Sequence, residues 1–388
     1  MLRTTAVLVM LTLAISAGAQ TTRVEAIAQE QEKKAAQLGA EGPSEAERII
    51  RRVLISPLLA GGDGLYPWFG SVFGGSGMAI GAGFLKRLPN AASANVMAGV
   101  SLNNSILMEG KFSAPELWHG MLRVDGLARW TDARGVSFYG LGPGSAKAAR
   151  ERYDYQPTEF GGDATLTPQR WLSLSGGYSW LDIDTQRDFP GLTGDLAPGI
   201  GEALQYNVTR GTVGIDWRTS PGYSTRGGFY RATVVKHAEK NGLPFSFRSQ
   251  EYEVVQLLPL VREQFVLAFR GLATTTHPEP GHDVPVMLGP FLGSGSTLRG
   301  FRNRRFTDRH RLLLSGEYRW RPSRYLDMAV FVDAGKVAPE TRQLTLKELE
   351  TAWGLGARFH GPGFTALRME VAKGREGLGI IFAGSQVF

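Results

Sequence analysis

The sequence predicts an all-β protein: a 16-stranded antiparallel transmembrane β-barrel with a short helical N-terminal segment. Three observations lead to this prediction. They are an N-terminal export signal, an alternation of apolar and polar residues that continues from about residue 75 to the last residue, and an alternation of short and long connections. Glycine is also abundant, at 50 of 388 residues against about 7% in average proteins. Because glycine destabilises helices, this composition disfavours a helix bundle.

The composition also excludes several kinds of chemistry. The chain has no cysteine, which excludes disulfides, zinc-thiolate sites, iron–sulfur clusters and cysteine nucleophiles. A hydrophobic content of 43% is normal for a folded protein and excludes wholesale disorder. The formal net charge of +7 suggests anionic surroundings, but does not distinguish a membrane from a nucleic acid or a substrate.

Residues 1–19 are predicted to be a secretory signal peptide. Arg3 provides the basic start, an apolar stretch runs from Ala6 to Ile15, and Ala17-Gly18-Ala19 forms the cleavage site. The apolar stretch is shorter than the ~20 residues that a spanning helix needs. Two later uncharged stretches contain too many glycine, proline and asparagine residues for a transmembrane helix. The exported protein is therefore either soluble or a barrel.

Residues 20–74 are predicted to form a periplasmic helical leader. Ala, Glu, Gln and Lys dominate up to Leu38, and Ser44 to Glu47 forms a capping box before a second helix. Arg48, Arg51 and Arg52 make one face of that helix basic. This face either contacts anionic lipid or the barrel, or is simply solvated, and the sequence leaves both interpretations open.

Residues 75–388 are predicted to form the barrel. Leu326, Met328, Val330 and Val332, for example, alternate with Asp327, Ala329 and Asp333. A soluble β-sandwich also alternates, but its strands are usually shorter. Many segments here reach ten residues or more and end in Trp or Tyr, which is typical of a lipid-facing wall with aromatic girdles. Lipid cannot satisfy a free sheet edge, so the sheet must close.

Sixteen segments alternate in this way. They lie near 76–87, 93–103, 105–113, 117–130, 136–141, 157–167, 170–183, 204–218, 225–238, 246–259, 262–276, 310–321, 324–336, 350–360, 363–373 and 377–388. The short connections, taken as periplasmic turns, are 103–104, 167–169, 321–323 and 361–363. The long ones, taken as outer loops, are 142–156, 184–203, 277–309 and 337–349.

The predicted last strand ends on Phe388, with Ile380 and Phe382 on the same face. These three residues are similar to the C-terminal signal by which barrels are delivered to the barrel assembly machinery. Gln386 departs from that signal, which often has an apolar or aromatic residue at this place.

The longest predicted loop contains Gly293-Ser-Gly-Ser-Thr-Leu-Arg-Gly-Phe301, and the two strands after it carry Glu317 and Asp333. Alternation directs both carboxylates into the lumen from adjacent strands, ~5 Å apart. Such a pair repels unless a cation separates it. Arg299 can donate to both carboxylates, and Gly300 allows a tight turn where the loop folds inward. The alternative is that these are ordinary hydrated lumen residues.

This order of motifs resembles the BamA/TamA superfamily of outer-membrane proteins, the bacterial surface antigen family. The resemblance implies a loop locked inside the lumen by Arg299, Gly300, Phe301, Glu317 and Asp333. It also implies outer-membrane localisation and a role in protein insertion or translocation. Outer-membrane lipid, the barrel assembly machinery and client proteins would be the partners. The roughly fifty residues before the barrel are not expected to form the family's POTRA domains. The alternative is a channel or structural barrel that has lost the assembly role.

No enzymatic activity, cofactor, metal or nucleic-acid partner is expected. His277 and His282 with Asp283 could bind a metal only opportunistically, and no histidine pair has helical metal-ligand spacing. His310, near Asp308 and Ser315, is the single local candidate for hydrolase chemistry. Nucleophile-elbow, P-loop and dinucleotide motifs are absent from the sequence.

Overall fold

The computed structural model describes residues 63–187, 196–260, 263–323, 325–361, 364–384 and 387–388. The predicted signal peptide and most of the predicted helical leader lie outside the described residues. Within these ranges, no helix is long and apolar enough to cross a bilayer, a finding that says nothing about β-barrels.

The described part of the chain is built almost entirely of strands. Sixteen of them form one antiparallel sheet in which each strand pairs with its neighbours in the chain, except that β11 pairs with β14. The strands are β1 Gly64–Gly70, β2 Ala79–Arg87, β3 Ser93–Ser101, β4 Ile106–Leu117, β5 Leu122–Phe138, β6 Glu151–Gln169, β7 Leu172–Arg187, β8 Leu204–Asp216, β9 Gly227–Glu239, β10 Phe247–Pro259, β11 Phe265–Pro278, β12 Phe291–Leu292, β13 Phe306–Thr307, β14 His310–Ser323, β15 Leu326–Ala338, β16 Glu350–Gly361, β17 Phe364–Gly374 and β18 Gly377–Ala383. A short 3₁₀ helix spans Thr341–Gln343.

This sheet forms a nearly closed barrel, as predicted. Its first and last strands, β1 and β18, share no ladder of paired residues within the described ranges. The predicted sidedness is confirmed along β15, where Val330 and Val332 are exposed on the outer face while Ala329 and Asp333 are fully buried on the inner face. The apolar face therefore points outward, and the polar face encloses a lumen.

The predicted number of strands is correct, but two errors compensate for each other. The segments predicted at 117–130 and 136–141 do not form separate strands, because β5 runs unbroken from the first into the second. A register shift between Ala133 and Val136, with Gly135 at φ 66°, interrupts the alternation and imitates a strand boundary. Conversely, β1 lies inside the segment predicted as leader. Its Pro67 is tolerated because β1 is an edge strand.

One connection consequently lies at the end of the barrel opposite to the end at which it was predicted. The Asn103-Asn104 turn joins β3 to β4, at the same end as the long connections 139–150 and 279–309. It was predicted among the short turns because β1 had been missed. The turn 170–171 lies at the other end, called here the short-turn end, together with the strand ends Ser323, Leu326, Gly361 and Phe364.

The C-terminus also departs from the predicted strand 377–388. The last strand ends at Ala383, so Phe388 does not lie beside Ile380 and Phe382. Ile380 and Phe382 are exposed on the outer face. Phe388 instead packs on the inner wall of β10 and β11, against the cluster of Val255, Leu257, Val266 and Ala268. Its role in an assembly signal stays a prediction.

Candidate functional site

The connection between β11 and β14, residues 279–309, folds into the lumen and is called here the long loop. The pairing of β12 with β13 closes the part of the loop that carries the Arg299 motif. Leu292, Leu298, Phe301 and Phe306 of the loop join a buried cluster with wall residues. The wall residues in this cluster are Leu272, Leu313, Val337 and Ala352. Burial of these apolar side chains holds the loop against the inside of the wall.

Arg299 is the polar centre of this packing, and its side chain is completely buried. It forms a bidentate pair with Asp333, donating from Nε to Oδ2 at 2.7 Å and from Nη2 to Oδ1 at 2.8 Å. Its backbone N–H also donates to Asp333 Oδ2 at 3.1 Å. Both the main chain and the side chain of the loop are therefore tied to β15.

The remaining guanidinium nitrogen of Arg299 donates to a second group of acceptors. Arg299 Nη1 donates to Glu317 Oε1 on β14 at 2.7 Å and to Glu370 Oε1 on β17 at 3.2 Å. Arg358 Nη2 on β16 donates to the same two oxygens, at 2.9 and 3.0 Å. The loop arginine is thus connected to four consecutive strands of the wall, β14 to β17.

Two further arginines complete the network. Arg319 Nε donates to Glu317 Oε2 at 2.7 Å, and Arg368 Nη1 donates to Glu370 Oε2 at 2.8 Å. Four guanidinium groups thus face three carboxylates, and all seven side chains are buried. A buried charge is tolerated only when it is paired and hydrogen-bonded, so the members of this network depend on one another.

Aromatic and glycine residues shape the space around the network. The Arg299 guanidinium lies 3.5 Å from the centroid of the Phe331 ring, a cation–π contact. The glycine opposite this ring, Gly354, leaves room for it, because a Cβ there would collide with the ring. A Cβ at Gly356 would lie 2.6 Å from Glu370 Cγ. The two glycines on β16 therefore leave room for the Phe331 ring and the Glu370 side chain.

Gly300 and Phe301 bring the loop close to the last pair of strands. Gly300 has φ +84°, and a Cβ there would lie 3.0 Å from the backbone nitrogen of Gly374 on β17. The Phe301 ring packs over Gly374, where a Cβ would lie 2.6 Å from the ring. The motif thus needs a glycine at 300 for both its backbone angle and its close approach.

The structure brings Arg299, Glu317 and Asp333 together, with one difference in register. Glu317 lies opposite Phe331, and Asp333 lies opposite Ser315, so the two carboxylates are diagonal neighbours rather than a facing pair. Glu370, Arg358 and Arg368 were not predicted as site residues. The alternation already placed Arg368 and Glu370 on the lumen side, but nothing in the sequence showed that β16 and β17 curve toward the loop.

The long loop also contacts the connections of both edge strands. Arg305 donates to both oxygens of Glu376, in the β17–β18 turn, at 2.8 and 2.9 Å. It also donates to the carbonyl oxygen of Ser145, in the β5–β6 connection, at 2.7 Å. Asn303 donates from its side chain to the carbonyl oxygen of Gly74, in the β1–β2 connection. One loop therefore reaches both sides of the gap between β1 and β18.

The candidate hydrolase and metal residues are not brought together. His310 and Ser315 lie five positions apart on one strand, so they point to opposite faces. His282 Nδ1 accepts from the N–H of Ser246 at 2.9 Å, and Asp283 accepts from Arg309 at 3.0 Å. No group of three His, Asp or Glu side chains suited to a metal occurs in the described part of the chain.

Comparison with known proteins identifies the family. The Omp85 superfamily domain matches residues 127–377, which include the long loop and strands β14 to β17. The chain belongs to the Omp85 superfamily. Omp85 barrels that resemble BamA and CdiB are proteins of the bacterial outer membrane, so the predicted localisation and the predicted resemblance are confirmed. No curated protein matches the sequence.

Solved Omp85 structures share the fold at low sequence identity. BamA from Haemophilus ducreyi lacking POTRA domains 1–3 matches with a TM-score of 0.62 at 14% identity, over 83% of this chain and 69% of that one. CdiB from Escherichia coli matches with a TM-score of 0.57 at 14% identity, over 82% and 61%. CdiB from Acinetobacter baumannii gives 0.51 at 11%, over 79% and 56%. This chain thus spans less than two thirds of either CdiB chain.

Proposed function

We propose that this Omp85 barrel assists the insertion of proteins into the outer membrane or their translocation across it, without catalysing a reaction. The observation that carries the proposal is the gap between β1 and β18, beside a long loop that is locked into the lumen. The resemblance to the BamA/TamA superfamily implies this class of activity.

The gap supports the proposal because an edge strand in lipid has unsatisfied backbone groups. Each unpaired N–H or C=O costs several kcal/mol in hydrocarbon, roughly the value of a lost hydrogen bond. A strand of a client protein could satisfy those groups by pairing with β1 or β18. Both edge strands are only seven residues long, and β18 contains Gly377 and Gly379, which weaken a strand.

The contacts of the long loop support a link between the loop and this gap. A cavity of about 400 Å³ lies between the loop and β18, and its lining includes Gly74, Asn303 and Glu376. The Asn303 contact holds the β1–β2 connection, and the Arg305 contact holds the β17–β18 turn. Movement of the loop would therefore release both sides of the gap together.

A deletion experiment tests the proposal. The outer-membrane and secreted proteomes of a deletion strain are compared with those of the same strain carrying the wild-type gene. We expect the levels of one or more client proteins to fall in the deletion and to recover with the gene. An unchanged proteome in both fractions would contradict the proposal.

A cross-link tests the role of the gap. Because the chain has no cysteine, Gly74→Cys with Asn303→Cys can form a single disulfide that ties the loop to the β1–β2 connection. We expect the oxidised double variant to fail in restoring client levels, while the reduced form and each single variant restore them. Restoration by the oxidised form would show that the gap need not open.

The charged lining of the lumen favours a second candidate function, that of a channel. A cavity of about 630 Å³ lies inside the barrel, and charged side chains line it, among them Glu109, Arg129, Glu159 and Arg210. Planar-bilayer conductance of the purified barrel, together with an unchanged deletion proteome, would favour a channel. Hydrolysis of phospholipid or peptide by the purified protein would overturn the proposed absence of catalysis.

A further inference from the structure

We propose that the connection between β8 and β9, residues 217–226, is an inner gate that closes the lumen at its short-turn end, with Tyr223 as its latch. This connection is called here the inner turn. The proposal does not depend on whether the barrel inserts proteins, exports them or conducts solutes, because it concerns the route through the lumen itself.

The inner turn contacts a wall to which its own strands do not belong. It follows β8 and precedes β9, yet its partners lie on β14, β15, β16 and β17. β10 and β11 separate β9 from the first of these strands along the sheet. The turn must therefore leave its own side of the barrel and lean across the opening, whereas a two-residue turn such as 170–171 cannot.

Tyr223 makes the central contacts. Its ring stacks on the imidazole of His360 with 3.8 Å between ring centroids and 11° between planes. Arg321 Nη2 donates to the Tyr223 hydroxyl at 2.5 Å. Asp327 completes the group, with its Oδ1 3.2 Å from His360 Nε2. The tyrosine thus joins residues of three wall strands with one side chain.

The rest of the inner turn is braced on both sides of Tyr223. Thr365 Oγ1 on β17 donates to the carbonyl oxygen of Gly222 at 3.4 Å. Thr225 Oγ1 donates to Glu263 Oε2, in the β10–β11 connection, at 2.7 Å. Ser224 Oγ accepts from the backbone N–H of Thr219 at 3.0 Å, which fixes the shape of the turn itself.

The inner turn packs closely against this wall. The void there is about 10 Å³, and its lining includes Tyr223, Arg319 and Asp327. A single water molecule needs roughly 10–15 Å³, so this void does not admit a hydrated ion. Phe388 fills the neighbouring space on the inner wall, 5.0 Å from the Arg319 guanidinium carbon.

The latch is suited to opening because it is polar. Asp327 Oδ1 lies 3.2 Å from His360 Nε2 and 3.5 Å from Arg321 Nε, and all three atoms belong to the wall rather than to the turn. Water entering an opened turn would hydrate these polar groups and replace the hydrogen bonds that the turn gives up. The long loop packs inside the lumen from the other end, so the loop and the inner turn lie in series along the lumen.

Conductance of purified protein in planar bilayers tests the inner gate. Tyr223→Ala is measured alone and combined with Arg299→Ala, because two closures in series can mask each other. Tyr178→Ala, which removes an exposed tyrosine from the outer face of β7, is the matched control. We expect Tyr223→Ala to raise conductance severalfold in at least one background, and Tyr178→Ala in neither. Equal conductance with and without Tyr223→Ala in both backgrounds would overturn the proposal.

A cross-link gives a second test, because a covalent bond can replace the Tyr223 latch. Gly222→Cys and Thr365→Cys place two sulfurs where the turn contacts β17, and no native cysteine competes. In the background that carries both Arg299→Ala and Tyr223→Ala, where the turn is open, we expect oxidation to lower conductance and a reductant to restore it. If the cross-link forms and conductance stays the same in both redox states, the inner turn does not close the lumen.

Discussion

Arg299 and Asp333 form a bidentate, fully buried ion pair in which the loop backbone takes part, since the N–H of Arg299 also donates to the Asp333 carboxylate. A loop residue is thereby fixed to the wall at three points. The pair is the part of the site that joins the long loop most directly to β15.

Arg299→Ala is expected to free the long loop, to raise conductance and to lower the temperature at which the barrel unfolds in detergent. Removal of one partner from a buried pair destabilises by about 3–5 kcal/mol, because the remaining charges are uncompensated. Heat-dependent migration on a detergent gel and bilayer conductance measure the two effects.

Arg299→Lys is the matched control for this change. Lysine keeps the charge but cannot form the bidentate pair, so an intermediate loss of stability is expected. If Arg299→Ala matches the wild type in both conductance and heat resistance, Arg299 does not lock the loop.

Glu370→Gln tests one of the site residues that the sequence did not predict. Glu370 accepts from Arg299, Arg358 and Arg368, and its neutralisation leaves four guanidinium groups with two carboxylates. We expect a clear loss of heat resistance. Glu350→Gln, which removes a partner of the exposed Arg375, should change the unfolding temperature little. Equal effects of the two changes would contradict the network.

Gly374→Ala tests the close approach of the loop to β17. The added Cβ would lie 2.6 Å from the Phe301 ring, and overpacking of this kind typically costs about 1–3 kcal/mol. The control is Gly211→Ala on β8, where a Cβ meets no atom within 4 Å. Thermal unfolding should separate the two variants. A Gly374→Ala protein as stable as Gly211→Ala would argue against tight packing of Phe301.

Unboiled protein is expected to migrate differently from boiled protein on a detergent gel. A barrel in which every strand is paired with at least one neighbour resists the detergent until it is heated, and so keeps a compact shape. Identical migration before and after boiling would contradict a stable barrel.

Much of the barrel could be predicted because the lipid-facing and lumen-facing residues of a strand alternate with a period of two. Val330 and Asp333 reveal their faces through the alternation alone. The alternation fails where backbone geometry changes, as at the register shift after Ala133, and where a strand is short and glycine-rich, as in β1. Those two places explain why β5 was predicted as two strands and why β1 was not predicted.

The core of the site could be predicted because Arg299, Glu317 and Asp333 differ in charge and lie on a loop and two successive strands. Glu370 and Arg358 could not be assigned to it, since their contact with Arg299 depends on how β16 and β17 curve in the closed barrel. The inner turn could not be predicted either. Its length was visible, but the direction in which Tyr223 points depends on tertiary packing.

The distance between a spin label on the long loop and one on the outer wall tests the central claim most directly. Labels at Arg302→Cys and Val332→Cys occupy exposed positions on the loop and on β15, in a chain without other cysteines. We expect one narrow distance distribution for the protein with Arg299 and a broad distribution once Arg299→Ala is added. An equally narrow distribution with and without Arg299 would contradict the lock.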